Sequence, residues 1–182
     1  GVEFNSKIDY HTHNDHKKIE HLLDLSFGTG RKGKSAYALR KGQVAVPELA
    51  LAAKQNDELV GSIQFWPLGL SLTEGAVAPP GVLLLGPLAV HPEQQNMGIG
   101  QALIDEGLQR ASALNYAAAI LVGDPAYYCK FGFDHKCVAG LTLAAEADQK
   151  RVQGRELTPG SLSELRGEII SFPEDSDQNL KK

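Results

Sequence analysis

Gly98 and Gly100 stand two residues apart in Pro92–Gln101 (PEQQNMGIGQ), a spacing suited to binding an anion. The segment joins an apolar run that reads as a strand to an amphipathic pattern that reads as a helix. A helix entered this way presents N–H groups without intrahelical acceptors and the positive end of its dipole. With no Cβ at either glycine, an anion can come close to that backbone, and the ligand expected is a diphosphate. Two other phosphate motifs do not fit. A dinucleotide fingerprint requires glycine or alanine where Leu103 stands, and a P-loop requires lysine where Gln101 follows Gly100.

Other reactive residue types read as structural. His11, His13, His16 and His21 cluster near the start, but His16 and His21 are five apart. Two ligands on one helix face need a spacing of three or four, so a solvated segment is the better reading. Cys129 as a nucleophile would need an activating base, and the nearest in sequence is His135. A small core residue is expected there instead. Cys129 and Cys137 form neither a disulfide framework nor a zinc pattern.

The elements that must position the glycine segment follow from periodicity. A first helix, capped by Asn14 or Asp15, carries Ile19, Leu22, Leu23 and Leu25 on one side and ends at Gly28 and Gly30. A short second helix covers Ser35–Lys41. Residues 48–53 and 59–66 read as strands paired through the turn Asn56-Asp57. Val82–Val90 (VLLLGPLAV) reads as a strand buried on both faces and interrupted at Gly86-Pro87. A helix over Ile99–Leu114 puts Leu103, Ile104, Leu108, Ala111 and Leu114 on one face, and Asn115 suits a left-handed position after it. Ala117–Val122 is a second buried strand, followed by a short helix over 126–131 and a strand over 133–138. Residues 151–157 and 168–172 read as strands, with a helical turn at 161–166 between them. The expectation is one domain over 1–182 with a frayed tail at 173–182.

The chain's 182 residues are 42% hydrophobic and 22% charged, with a net charge of −4. No apolar run approaches the roughly 18 residues that would span a bilayer. The net charge offers no overall attraction to nucleic acid. Arg31, Lys32, Lys34, Arg40 and Lys41 make a basic cluster that reads as a solvated face. A cytoplasmic protein without nucleic-acid or membrane partners is expected.

In this strand–loop–helix setting, Gln95-Asn96-Met97-Gly98-Ile99-Gly100 resembles the Gln/Arg-x-x-Gly-x-Gly/Ala acetyl-coenzyme A motif of the GNAT N-acetyltransferase superfamily. The run Gly123–Phe133 is similar to that family's later Pro-x-x-Tyr-x-x-x-Gly-Phe segment. The likeness covers most of the chain and points to the bacterial YhbS-like branch, which SIQFWPLGL (62–70) and AYALRKG (36–42) also fit.

The resemblance implies an α/β fold of the α+β type: a mixed, mostly antiparallel sheet flanked by helices. Its bulged central strand splays from the next strand to hold acetyl-coenzyme A. The bulge would be Gly86-Pro87-Leu88. The stretch Leu88, Ala89 and Val90 would bind pantetheine and polarise the thioester carbonyl. Gln95, Asn96, Met97, Gly98, Ile99, Gly100 and Gln101 would hold the diphosphate. Asn96 and Met97 depart from the glycine and basic residue often found there, so Met97 brings no positive charge. Tyr128 matches the tyrosine that protonates the departing thiolate, and a phenol with a pKa of about 10 is protonated at neutral pH.

The reaction implied is direct attack of a neutral primary amine on the thioester in a ternary complex, without a metal. A base is not singled out: Glu48, Glu74, His91 and a water chain all stand open. The acceptor, whether small molecule, peptide or protein, is also open. By the same likeness Tyr37, Arg40 and Trp66 would lie near it, and a homodimer is compatible. The alternative is a module that binds acyl-coenzyme A as a sensor without turnover.

Overall fold

The structure, a computed structural model, describes residues 7–28 and 34–173. Gly30, Arg31, Lys32 and the tail after Pro173 lie outside the described residues. The elements in chain order are β1 (Lys7–Tyr10), α1 (His16–Phe27), α2 (Ser35–Arg40), β2 (Leu51–Gln55), β3 (Glu58–Leu72) and β4 (Val82–Val90). After these come α3 (Ile99–Ala113), β5 (Ala118–Val122), α4 (Pro125–Tyr128), β6 (Leu141–Thr142), β7 (Val152–Glu156) and β8 (Gly167–Ser171). The main sheet runs β1-β2-β3-β4-β5-β7, and β8 extends it along the second half of β3, with β6 beside β8. Within it β4 and β5 are parallel, joined by α3 as a crossover, while the other pairs of the main order are antiparallel.

Period-two alternation explains why the central strands are almost wholly apolar. Leu83 and Leu85 of β4, with Ala119 and Leu121 of β5, enter the core beneath α3, beside Leu103, Ile104, Leu108 and Ala111. Val82, Leu84, Ala118 and Ile120 point to the opposite face, against Leu39 of α2 and Leu141, Val152 and Ile169. Helix α1 covers the far end of β4, where Ile19, Leu22 and Leu23 pack on Ala89.

The expected bulge is present, but it does not break the strand. Ile63 lies opposite Leu88 and Phe65 opposite Leu85, so Gln64 alone faces Gly86 and Pro87. Two residues against one is the count of a β-bulge, which bends the strand and re-aims the residues beyond it. On the other edge, β4 and β5 pair only at Val82–Ala118, Leu83–Ala119 and Leu84–Ile120. Beyond Leu84 the two strands are no longer paired. The bulge thus coincides with the opening of the sheet.

Several sequence expectations are corrected. Residues 133–138 form no strand: Asp134 makes a single bridge to Gly154, and its carboxylate then accepts the Lys136 N–H at 2.8 Å, starting a 3-10 turn. Strand β3 does not stop at Trp66 but runs through Pro67 to Leu72, because β8 takes over as its partner. Strands β1 and β6 are additional to those expected; β1 packs only Ile8 inward, so it shows no apolar alternation. Leu25 is exposed because Ser26 takes the inward position and donates its hydroxyl to Val90 O at 3.2 Å. Leu114 is exposed as well, being the residue after the last helical turn. His11, placed in a solvated segment, is half-buried, with Nε2 3.0 Å from both Leu51 O and Ser62 Oγ.

Asp15 does not cap α1 with its side chain. It turns back to accept the Thr12 N–H and hydroxyl, both at 2.8 Å, and pairs with Lys54 Nζ at 3.1 Å. Burial opposes its ionisation, but these donors outweigh that and hold the carboxyl below its ordinary value. The resulting stabilisation is complete above a pH of about 3.9 and is lost as pH falls through the lower folded pKa. Asp15→Ala is expected to cost about 1–2 kcal/mol, since it removes two hydrogen bonds to a buried carboxylate while exposed Thr12 turns its donors to water. A denaturant midpoint equal to the parent's at neutral pH would show that this clasp contributes nothing.

Candidate active site

The cleft opens where the bulge parts β4 from β5. One cavity of ≈ 570 Å³ lies between the bulge, the end of β5 and α2. A second of ≈ 490 Å³ runs from Val90 across residues 94–101 to Lys130. Phe27, Leu88, Tyr127 and Tyr128 line both, so the two are halves of one continuous cleft.

The half beside α3 is shaped largely by the backbone of the turn before that helix. Asn96 has φ 66° and Gly98 φ 82°, two left-handed residues in the turn before α3. Asparagine and glycine are the residues that take this conformation at little cost. Gly98 is the N-cap, and the first α-helical bond joins Ala102 N–H to Gly98 O at 3.0 Å. The N–H groups of Ile99, Gly100 and Gln101 therefore have no acceptor within the helix. Gln95, Asn96, Gly98, Ile99, Gly100 and Gln101 all line this half. Met97 does not, and its side chain is largely exposed. Lys130, which sequence reasoning did not single out, also lines it, with Nζ 5.0 Å from the centre of the Tyr127 ring.

Leu88 and Val90 line the same half from β4. Ala89 between them is buried against α1, as alternation along a strand requires. The bulge is held by Trp66, whose indole Nε1–H donates to Gly86 O at 2.6 Å.

Tyr128 stands at the junction of the halves. Asp124 caps α4 through Oδ1, which accepts the Ala126 N–H at 3.0 Å, and Pro125 occupies the first helical position. The Tyr128 ring meets Tyr127 edge-on at 4.9 Å and Phe133 at 6.2 Å. It also lies over Gly123, where a Cβ would come within 2.6 Å of the ring. Burial, with the neighbouring Tyr127 and Asp124, pushes its phenol up to about 12. Cys129, expected in the core, is exposed, because Phe131 takes the inward place in that turn.

The three base candidates are not gathered here. His91 lines a different depression, beside α1, and its Nδ1 accepts the Glu93 N–H at 3.2 Å. Glu48 precedes β2, next to Tyr116, and Glu74 is exposed in the β3–β4 connection. The carboxylates that do line the larger cavity are Asp124 and Glu146. Glu146 accepts the Ser35 hydroxyl at 2.6 Å. Arg151 lines it too, and sequence reasoning singled out none of the three. These residues sit in irregular segments, where no periodicity marks them. Arg40, Tyr37 and Trp66 do come together: the guanidinium lies 5.4 Å from the Tyr37 ring and 5.9 Å from the Trp66 ring.

Comparison with known proteins agrees with this architecture. The model of the acetyltransferase (GNAT) family matches residues 16–133. YhbS of Escherichia coli K12, an uncharacterized N-acetyltransferase, is 28% identical over 159 residues, covering 86% of this chain and 89% of its own length. YjhQ of the same strain, also an uncharacterized N-acetyltransferase, is 29% identical over 120 residues, which span 66% of this chain and 65% of YjhQ. The crystal structure of E. coli YhbS in complex with CoA superposes with a TM-score of 0.77 at 24% identity, covering 94% of this chain and 92% of that one. A GNAT family acetyltransferase from Brucella melitensis in complex with acetyl-CoA gives 0.66 at 24% identity, with coverages of 92% and 96%.

Proposed function

Because the chain belongs to the acetyltransferase (GNAT) family, we propose that it moves the acetyl group of acetyl-coenzyme A to a primary amine within a ternary complex. The observation that carries this reading is the continuous cleft, which joins a backbone anion cradle to Tyr128 through the gap between β4 and β5. Ile99, Gly100 and Gln101 would hold the diphosphate through their N–H groups, and Lys130 would bring the positive charge that Met97 lacks. The edge of β4 from Leu88 to Val90 would align the pantetheine.

In the reaction the amine nitrogen bonds to the thioester carbonyl carbon and the C–S bond breaks. The ammonium proton must leave before or during attack, since an alkyl amine has a pKa of about 10.4. Tyr128 would donate a hydrogen bond to the departing sulfur. Complete transfer from a phenol at about 12 to a thiolate whose thiol has a pKa of about 8.5 runs uphill. Its contribution is therefore stabilisation of the charge that develops on sulfur, with the amine's proton balancing the products.

Thermal unfolding with about 1 mM acetyl-coenzyme A, coenzyme A or ATP tests the binding step. A dissociation constant near 10 μM predicts about 2.7 kcal/mol of stabilisation by both coenzyme A forms. No shift with either would sink the assignment. Binding without acetylated product from any amine would leave the acyl-coenzyme A sensor as the better reading.

A further inference from the structure

We propose that Gln153 is a positioning residue for Tyr128, holding in place the strand end against which the Tyr128 ring packs; this rests on the acetyltransferase reading above and deepens it. Gln153 is 1% exposed. It lies on β7 directly opposite Leu121 of β5, so its side chain shares the face of the sheet that carries Leu121, on which Phe131, Phe133 and Tyr128 also pack. An amide set among apolar side chains costs stability unless hydrogen bonds compensate it.

The bonds of this amide go to one place. Gln153 Nε2 donates to Gly123 O at 3.1 Å and to Arg151 O at 3.3 Å. Both partners are carbonyl oxygens, so the amide must present its nitrogen to them. Gly123 is the first residue beyond the paired part of β5, whose register with β7 ends at Val122 and Val152. Its N–H donates to Arg151 O at 2.9 Å, but among the described residues no main-chain N–H donates to its carbonyl. Gln153 therefore supplies from a side chain the bond that a longer strand would have supplied. Gly123 in turn sets Tyr128 from two directions. A Cβ on it would come within 2.6 Å of the Tyr128 ring, and the carbonyl of the next residue, Asp124, accepts the N–H groups of Tyr127 and Tyr128 at 3.1 Å each. A displaced Gly123 would move the floor of the ring and the start of α4 together.

Stability alone does not account for an amide at this position. Gln153 Oε1 has no hydrogen-bond partner among the described residues, so half of the group is buried unsatisfied. A methionine of similar length would fill the space without that orphaned acceptor. What it could not do is hold Gly123 O, and with it the place of Tyr128 where the two half-cavities meet. A catalytic group misplaced by about 1 Å can cost about a hundredfold in rate, so the advantage of the glutamine lies in geometry.

The experiment places Gln153→Met in the intact parent and in Tyr128→Phe, with Gln153→Leu as a second removal of the donor. Turnover is read as coenzyme A release from acetyl-coenzyme A with the fastest of ethanolamine, putrescine and a lysine peptide. Gln153→Met should lower kcat about tenfold or more while leaving acetyl-coenzyme A affinity within about twofold and the thermal midpoint within a few degrees. In Tyr128→Phe the same substitution should cost less than about twofold, because the hydroxyl that it positions is gone. Fluorine NMR of protein labelled with fluorotyrosine reads the ring without turnover, the Tyr128 line being assigned by its loss in Tyr128→Phe. Gln153→Met should shift or broaden that line more than those of Tyr10, Tyr37 and Tyr116. An equal loss of kcat in both backgrounds shows a general role in the fold and overturns the proposal. So does a Tyr128 line that stays in place, or failure of both Gln153 variants to fold. If the parent turns over none of the three amines, the fluorine line alone decides, while the acetyltransferase reading is judged separately by whether acetyl-coenzyme A stabilises the fold.

Discussion

Tyr128→Phe is expected to lower kcat by about two orders of magnitude while changing acetyl-coenzyme A affinity less than about twofold. The substitution removes only the hydroxyl. The ring contacts with Tyr127, Phe133 and Gly123 remain, so the cleft keeps its shape. On the proposed mechanism, what disappears is a donor to the sulfur as negative charge grows there, an interaction made in the transition state more than in the bound substrate. The pH profile adds a second check. With its phenol held up to about 12, Tyr128 stays protonated throughout the range in which the enzyme can be assayed. The variant's kcat/KM profile should therefore keep the parent's shape at a lower level, since any rise with pH reports deprotonation of the amine or of a base. An unchanged kcat removes Tyr128 from the mechanism. An alkaline loss of activity that vanishes in Tyr128→Phe would show that its phenol titrates far lower.

Gly100→Val should weaken acetyl-coenzyme A binding by about two orders of magnitude or more, measured by calorimetry or ligand-induced thermal shift. At this position a Cβ alone would come within 2.8 Å of the Tyr127 hydroxyl, with Val90 at 3.6 Å and Leu88 at 3.8 Å. The ring of Tyr127 is shared by both halves of the cleft and packs on Tyr128 and Phe131. A branched side chain must push it into the space that coenzyme A needs. Such overpacking also costs about 1–3 kcal/mol of stability, so folding is checked by circular dichroism. Parent-like affinity in a folded Gly100→Val would show that the diphosphate does not lie along this turn.

The helix over 99–113, the strands on either side of it and the turn at Asn56-Asp57 could all be read before any coordinates. Their signals are local: a 3.6-residue period from Leu103 to Ala111, unbroken apolar runs, and turn residues that tolerate positive φ. The bulge was legible too, because Gly86-Pro87 inside an apolar strand cannot pair regularly. Motif spacing carried the family as well, since the glycine segment and the tyrosine segment are each contiguous in sequence.

Other features depended on which segments meet. Strand β3 continues past Pro67 only because β8, about a hundred residues later, supplies its partner. The stretch 133–138 has apolar residues only at its ends, and between them Asp134 satisfies the Lys136 N–H and closes a turn in place of the expected strand. Leu25 gave way to Ser26 because the wall facing α1 at that point is a carbonyl, not a hydrophobic surface. The charged wall of the larger cavity draws on Lys34, Arg40, Asp124, Glu146 and Arg151, which no periodicity links. Secondary structure is set by neighbours along the chain, whereas a cleft's charge is a sum over residues that only tertiary packing brings within a few ångströms of each other. For that reason the two left-handed residues of the turn before α3 were readable from ten consecutive residues, and the charged wall of the larger cavity came into view only with the folded chain.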